Sequence, residues 1–232
     1  MNYLELCRVL AREAGTGAFP GTVVGLNGRP LKIAGWVRQA WIDIQNDRDE
    51  WRWLQDKFEG TVLAGVDAFE ASDFGLTRFS NWNLGRNPKT GVHKFTIQAA
   101  SASRATEAGI EYVPFDLFSE TYQRGAIAGR AGSPIAYTVD DRDRLVFWPT
   151  PDASYVVRGP YRKSAQKLLN SDDVPEIHES HHKIIVWKGL LLMAPSDETY
   201  DQPRFWGTSY ADMLGDLQRK ELPPIRFGRP LS

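Results

Sequence analysis

Apolar positions recur at helical spacing near both ends of the chain and at strand spacing between them. Tyr3, Leu6, Cys7, Leu10 and Ala14 predict a first helix that stops at Gly15, where Gly15, Gly17, Pro20 and Gly21 make a loop. Ile33, Val37, Ala40, Trp41 and Ile44 predict a second helix, with Lys32, Arg38, Gln39 and Asp43 on its polar side. The stretch EWRWLQDKF then offers one or two further helical turns, with Trp51, Leu54 and Phe58 on one side. From Thr61 to about Tyr161 the texture is strand-like: 62–66, 92–97, 110–113, 135–139, 145–148 and 155–161. Turns at Asp140–Asp143 and Pro149–Ala153 separate the last three of these, predicting an antiparallel meander. Helical texture returns at Ile184–Leu192, apolar on nearly every side as a central core helix is, and again after Pro203, where Trp206, Tyr210, Met213, Leu214 and Leu217 form a stripe. Leu222-Pro223-Pro224 ends that helix and leaves the tail IRFGRPLS.

This pattern predicts an α+β chain: a helical bundle formed by N- and C-terminal helices, with an inserted antiparallel β-sheet or meander and long loops. The expected parts are 1–59, the N-terminal helices; 60–165, the inserted β region; 166–221, the C-terminal helices; and 222–232, an extended tail. Two long segments bury little, 72–91 and 123–134, and loops of that length are usually functional or disordered until a partner orders them.

Composition narrows the function. At 232 residues and 42% hydrophobic the chain has ample material for a packed core. Lys and Arg total 28 against 29 Asp and Glu, so no global charge excess draws the protein to nucleic acid or an anionic membrane. The lone Cys7 excludes an internal disulfide and reads as a small core residue of a chain made in a reducing compartment. No apolar run is long enough to span a membrane, and the charged N-terminal sequence does not read as a signal peptide. Several of the eight tryptophans sit in polar contexts, Trp51, Trp53 and Trp82 among them, and large aromatics outside a core are frequent at protein interfaces.

One motif suggests chemistry. His178, Glu179 and His182 spell H-E-x-x-H, the spacing with which one group of peptidases holds zinc. That chemistry needs both imidazoles on one face of a continuous helix and a third ligand beyond. Pro175 lies just upstream, which puts His178 in a first turn or cap, and the position of a third histidine in the extended motif is Lys188. Glu198 and Asp201 are carboxylates in the following loop, with no helix to position them. The duller reading is a set of polar residues at the exposed start of a core helix. Asp73-Phe74-Gly75 lacks the other parts of a kinase, and the glycines around Arg124 and Arg130 lack the lysine of a phosphate loop. Basic residues without acidic neighbours in sequence are Arg86 and Lys89, Arg124 and Arg130, Arg158, Arg162 and Lys163, and Arg226 with Arg229. They are candidates for a phosphate-facing surface or solvated strand ends.

The segment LVFWPTPDASYVVRGPYRKSAQKLLNSDDVPEIHESHHKIIVWKGLLLMA has a distinctive order: an apolar strand ending in W-P-x-P, a strand with Tyr155 and Tyr161, a linker reaching Leu168-Leu169, an Asp-x-Pro, then a histidine at the start of an apolar helix. In this it resembles the head-to-tail adaptor, or connector, proteins of tailed bacteriophages. MNYLELCRVLAREAG with WVRQAWIDIQNDRDEWRWL, and SYADMLGDLQRKELP, are similar to the N-terminal half and last helix of these proteins; loop 72–91 looks like an insertion. The resemblance implies a virion structural protein made in the host cytoplasm, with no catalytic residue, cofactor or metal, and a His or Tyr near position 181 or 182 that serves the fold. It implies a homo-oligomeric, dodecameric ring between the portal and the tail or nozzle proteins, with DNA passing through without specific binding and no membrane contact. It also implies a portal-docking tail at Pro223, Pro224, Ile225, Arg226 and Phe227, with Trp82, Arg86, Lys89, Arg124 and Arg130 as loop contacts for partners. Two rivals stay open: a zinc peptidase using HESHH, and a tail component or glycan-binding module with Trp82 stacked on sugar.

Overall fold

The two ends of the chain share one helical core, and the residues between them build a second core of strands. The computed structural model describes residues 1–196 and 203–222. One unit is built from Met1–Leu54 and the chain from Ala165 onward, the other from Gln55–Ser164. The α-helices are α1 (Tyr3–Glu13), α2 (Gly28–Asn46), α3 (Phe115–Tyr122), α4 (Lys183–Met193) and α5 (Pro203–Glu221). The class is α+β, as the pattern predicts.

In the helical unit the caps are written into the sequence. The Asn2 side chain accepts from the Glu5 amide while the Glu5 carboxylate accepts from the Asn2 amide, a reciprocal pair that satisfies orphan donors of α1. Leu6, Cys7 and Leu10 of α1 and Val37, Trp41 and Ile44 of α2 are fully buried. α4 packs against α1, α2 and α5, which explains why it is apolar on nearly every side. Burial pushes the Cys7 thiol up to about 12, so it stays protonated and behaves as a small core residue. Gly189 sets how closely α1 approaches: a Cβ there would lie 2.6 Å from the Leu10 Cδ1. No described helix is long and apolar enough to cross a membrane.

The second unit holds β1 (Gln55–Val62), β2 (Ala68–Phe69), β3 (Phe79–Trp82), β4 (Thr96–Ala99), β5 (Ala108–Gly109), β6 (Glu111–Tyr112), β7 (Ala131–Gly132), β8 (Ala136–Val139), β9 (Leu145–Trp148), β10 (Thr150–Pro151) and β11 (Tyr155–Lys163). β11 is the spine of a five-stranded sheet. β1 pairs antiparallel along one edge, from Gln55↔Arg162 to Val62↔Tyr155; the other edge is shared by β4 and β3, and β5 extends the sheet beyond β4. A four-stranded sheet runs β2-β9-β8-β6, and β7 and β10 form a short parallel pair. Phe58, Ile97 and Val157 of the first sheet, Phe95 just before β4, and Tyr137, Leu145 and Phe147 of the second sheet belong to one apolar cluster.

Some expectations are corrected. The stretch 50–58 is a single tight turn at Arg52–Leu54 followed by strand, because Trp51 and Leu54 are core of the helical unit while Phe58 and Val62, at strand spacing, face the other core. β8 and β9 form the expected hairpin, yet β11 does not continue it: both edges of β9 are taken, by β8 and β2, so β11 finds its partners in the other sheet. Trp51 and Trp53 are not exposed aromatics, for they stack on each other with centroids 4.6 Å apart, and the Trp51 Nε1–H donates to the Ile44 carbonyl. The strand expected at 62–66 ends at Val62, with Leu63 and Val66 exposed in the turn after it.

Gly189→Ala should destabilise the protein by about 1–3 kcal/mol through overpacking against Leu10. Gly207→Ala, on α5 with open space around it, should be neutral or stabilising by about 0.5–1 kcal/mol. Urea unfolding of the two variants checks the contrast.

Candidate partner-binding surfaces

The segment Pro175–His182 contains no continuous helix. His178 caps a single tight turn at Glu179–His181, its Nδ1 accepting from the Ser180 amide, and α4 begins only at Lys183. His182 is buried and both its nitrogens are engaged: Nε2 donates to the Ile177 carbonyl at 3.0 Å, and Nδ1, left unprotonated, accepts from the Met1 ammonium at 2.7 Å. Burial pushes this imidazole below its ordinary value, and the Met1 charge adds to that, against the opposing bond to Ile177. His181, also buried, is pushed down by burial, by Lys220 and by His178, with Glu221 and Asp216 opposing. The Ser180 hydroxyl lies 2.8 Å from the His178 Nδ1 and 3.0 Å from that of His181. Both nitrogens of His182, one of which the peptidase reading needs for zinc, are therefore spent on the fold. Lys188 lies over the Tyr210 ring and 3.9 Å from Asp43. Glu198 and Asp201 lie outside the described residues, and among the described residues no group of three or more metal-ligating side chains comes together.

The long loops are more ordered than their composition suggests. Within 72–91 the chain makes a turn at Ala71–Phe74, then β3, and Phe74 packs where Gly60 leaves room for its ring. Trp82 is 5% exposed; its ring meets Phe58 and Phe79 at 5.1 and 4.5 Å, and its Nε1–H donates to the Asp143 carbonyl. That ring is core of the sheet unit and offers no face to a sugar or a partner. Arg86 and Lys89 are exposed on a tight excursion closed by Asn87 and Val92, with Arg86 3.6 Å from Glu111. Arg124 and Arg130 are exposed on the other loop, where Arg130 lies over the Trp148 ring of β9. Arg86 and Arg130 thus each meet a residue of the four-stranded sheet, Glu111 of β6 and Trp148 of β9. The tail Pro223–Phe227 lies outside the described residues.

One surface has no signal in the linear sequence. The outer face of the five-stranded sheet carries a cross-strand row, Glu59, Arg158, Thr96 and Gly109, set by the register of β1, β11, β4 and β5. Arg158 has two acidic neighbours that the sequence order hides: its Nε donates to Glu59 at 2.7 Å, and its Nη1 lies 3.7 Å from Glu107 and donates to Gln98. Glu107 also accepts from Thr96 and Arg104, and these bonds, Thr96 foremost, hold its carboxyl below the usual range. Segment 86–93 lines one side of this face, enclosing a cleft of about 620 Å³. Read as a strand, 55–62 puts Lys57 and Glu59 on this outer side by its alternation.

A family model described as SU10 adaptor protein matches residues 1–230. The chain belongs to this family of tailed-phage head-to-tail adaptors. No curated protein matches it. As an adaptor it is a virion component that contacts other virion proteins. The match includes both units and the segment around His178–His182, where the adaptor uses its histidines to seat the start of α4.

The thermal midpoint of the adaptor should fall as pH is lowered from 7.5 to 5.5. Unfolded imidazoles bind protons near pH 6.5, whereas His181 and His182 in the fold resist until lower pH, so the stability they confer is full above that value and is lost below it. Differential scanning fluorimetry should show a shallower fall for His181→Phe; a flat wild-type profile would contradict the burial argument.

Proposed function

We propose that the adaptor assembles as a dodecameric ring between the portal and the tail or nozzle proteins, around the channel through which DNA passes. The observation that carries this reading is the family match across residues 1–230, which spans the helical unit and the inserted sheets alike. The physics is that of repetition: a modest interface multiplied around an axis holds by avidity. In this reading the adaptor makes and breaks no covalent bonds. Arg86, Lys89, Arg124 and Arg130, exposed on loops, are offered to neighbours in the assembly, and Pro223–Phe227 to the portal. Trp82 leaves this set, since its ring is buried.

A channel that DNA slides through must not grip it, because each neutralised phosphate strengthens the hold. Balanced composition, 28 basic against 29 acidic residues, and the pairing of Arg144 with Asp140 and of Arg158 with Glu59 support a surface of that kind.

Mixed with portal rings and followed by sedimentation and electron microscopy, the adaptor should co-sediment and form a cap of matching symmetry. Deleting residues 222–232 should weaken the association. An adaptor that ignores the portal would contradict the proposal.

A further inference from the structure

The cleft on the outer face of the five-stranded sheet has an imbalance that folding does not explain. Four of its lining residues are cationic, Lys57, Lys94, Arg104 and Arg158, against two carboxylates, Glu59 and Glu107. The two arginines take both carboxylates. Among the described residues no carboxylate lies within ion-pair distance of Lys57 or Lys94. The Lys94 Nζ donates to the Asn83 carboxamide at 2.5 Å, and burial pushes the ammonium below its ordinary value with no acid opposing. A partly buried ammonium with a neutral partner is costly, and an incoming carboxylate would relieve that cost with a charge-assisted bond.

The spacing points to an extended ligand. Lys57 of β1 lies opposite Pro160 of β11, and the Pro160 carbonyl accepts from the Asn83 amide on the far side. The backbones of Lys57 and Asn83 are therefore two strand spacings apart, about 10 Å, a gap that the Gln55 side chain of β1 already crosses to accept from the Asn83 carboxamide. Acidic side chains at alternate positions of an extended chain stand about 7 Å apart, and the long side chain of Lys57 makes up the difference, so one such chain meets both cations. Val92, 61% exposed at the rim, adds apolar surface for the intervening part of such a chain. Glu59 has a side chain 60% exposed at the same face, which disfavours a nucleic-acid backbone with a phosphate at every step. The ring of His93 packs against Gly109 and fixes the segment that flanks the cleft: a Cβ at 109 would lie 2.9 Å from the His93 Cβ.

We propose that this cleft is a docking site for an extended acidic peptide segment of another virion protein, with Lys57 and Lys94 as the two anchoring cations. The assignment stands on the cleft and on membership of the adaptor family, and it does not depend on the number of copies in a ring.

Fluorescence anisotropy with a labelled octapeptide of alternating glutamate and serine tests it on the full chain. The acidic peptide should bind, and 0.3 M salt should weaken it. Lys57→Glu and Lys94→Met should each weaken binding by about tenfold, and Glu59→Gln should strengthen it by about twofold. Lys57 is exposed, so its variant decides the matter if Lys94→Met lowers the thermal midpoint. Equal binding of a lysine–serine octapeptide, tighter binding of an eight-nucleotide oligothymidine, unchanged affinity in the Lys57 variant, or no binding by the acidic peptide would each overturn the proposal. Self-association that Lys57→Glu abolishes would assign the cleft to a second copy of the chain and overturn it as well.

Discussion

The Gln45 carboxamide pairs with both main-chain groups of Gln166, donating to its carbonyl at 3.0 Å and accepting from its amide at 2.7 Å. A chain that leaves a helical core for 110 residues and then returns must close that core without a continuous element to guide it. Loop-closure entropy opposes the return, and the contacts that compensate must lie where the chain departs and re-enters. Gln45 sits fully buried near the end of α2 and acts there as one rung of a β-ladder. The Gln166 side chain completes the closure, accepting from the Trp41 Nε1–H and donating to the Val174 carbonyl. Arg38 adds a bond to the Leu168 carbonyl. Within the inserted unit the eight-residue ladder of β1 against β11 does the equivalent work, bringing the two ends of the insert side by side.

Each core then follows from its own chemistry. In the helical unit α4 is apolar all round because α1, α2 and α5 surround it, and its entrance is fixed by His182 bonding to Ile177. In the inserted unit a cluster of aromatic rings, Phe58, Phe74, Trp82 and Phe95 among them, fills one face of the five-stranded sheet. Gly60 and Gly159 lie on that face because the Phe74 and Phe95 rings occupy the space that a Cβ would need. The opposite face is left for charges, and it is there that the cleft forms. The two tasks are separated in this way: aromatic and aliphatic cores hold the shape of each unit, and the loops and the charged sheet face stay exposed.

Much of this is legible in the amino-acid order. Helices α1, α2, α4 and α5 carry uninterrupted apolar stripes, and β8 and β9 flank a turn rich in aspartate, so local periodicity suffices for them. It fails at 50–58, where Trp51, Leu54 and Phe58 have helical spacing although they belong to two different cores. It finds β11 as a strand but not its partners, because strand order depends on which edges are already occupied. The ion pairs of Arg158 with Glu59 and Glu107 depend on register across separations of tens of residues, and so do the unmatched Lys57 and Lys94. Trp82 reads as an interface residue because its neighbours in sequence are polar, while its neighbours in space are Phe58, Phe79 and Phe95. Pro175 and Lys188 already weigh against the zinc motif in sequence, and the geometry supplies the stronger reason: His182 spends both nitrogens on the fold.

Closure at Gln45–Gln166 is the claim on which the rest stands, and native-state hydrogen exchange of Gln45→Leu measures it most directly. The variant leaves two main-chain groups of Gln166 without their partner, a loss of about 2 kcal/mol. Amides of α1, α2 and α4 should then exchange at least about tenfold faster, while those of β1 and β11 keep their protection. Unchanged exchange throughout the helical unit would contradict the account.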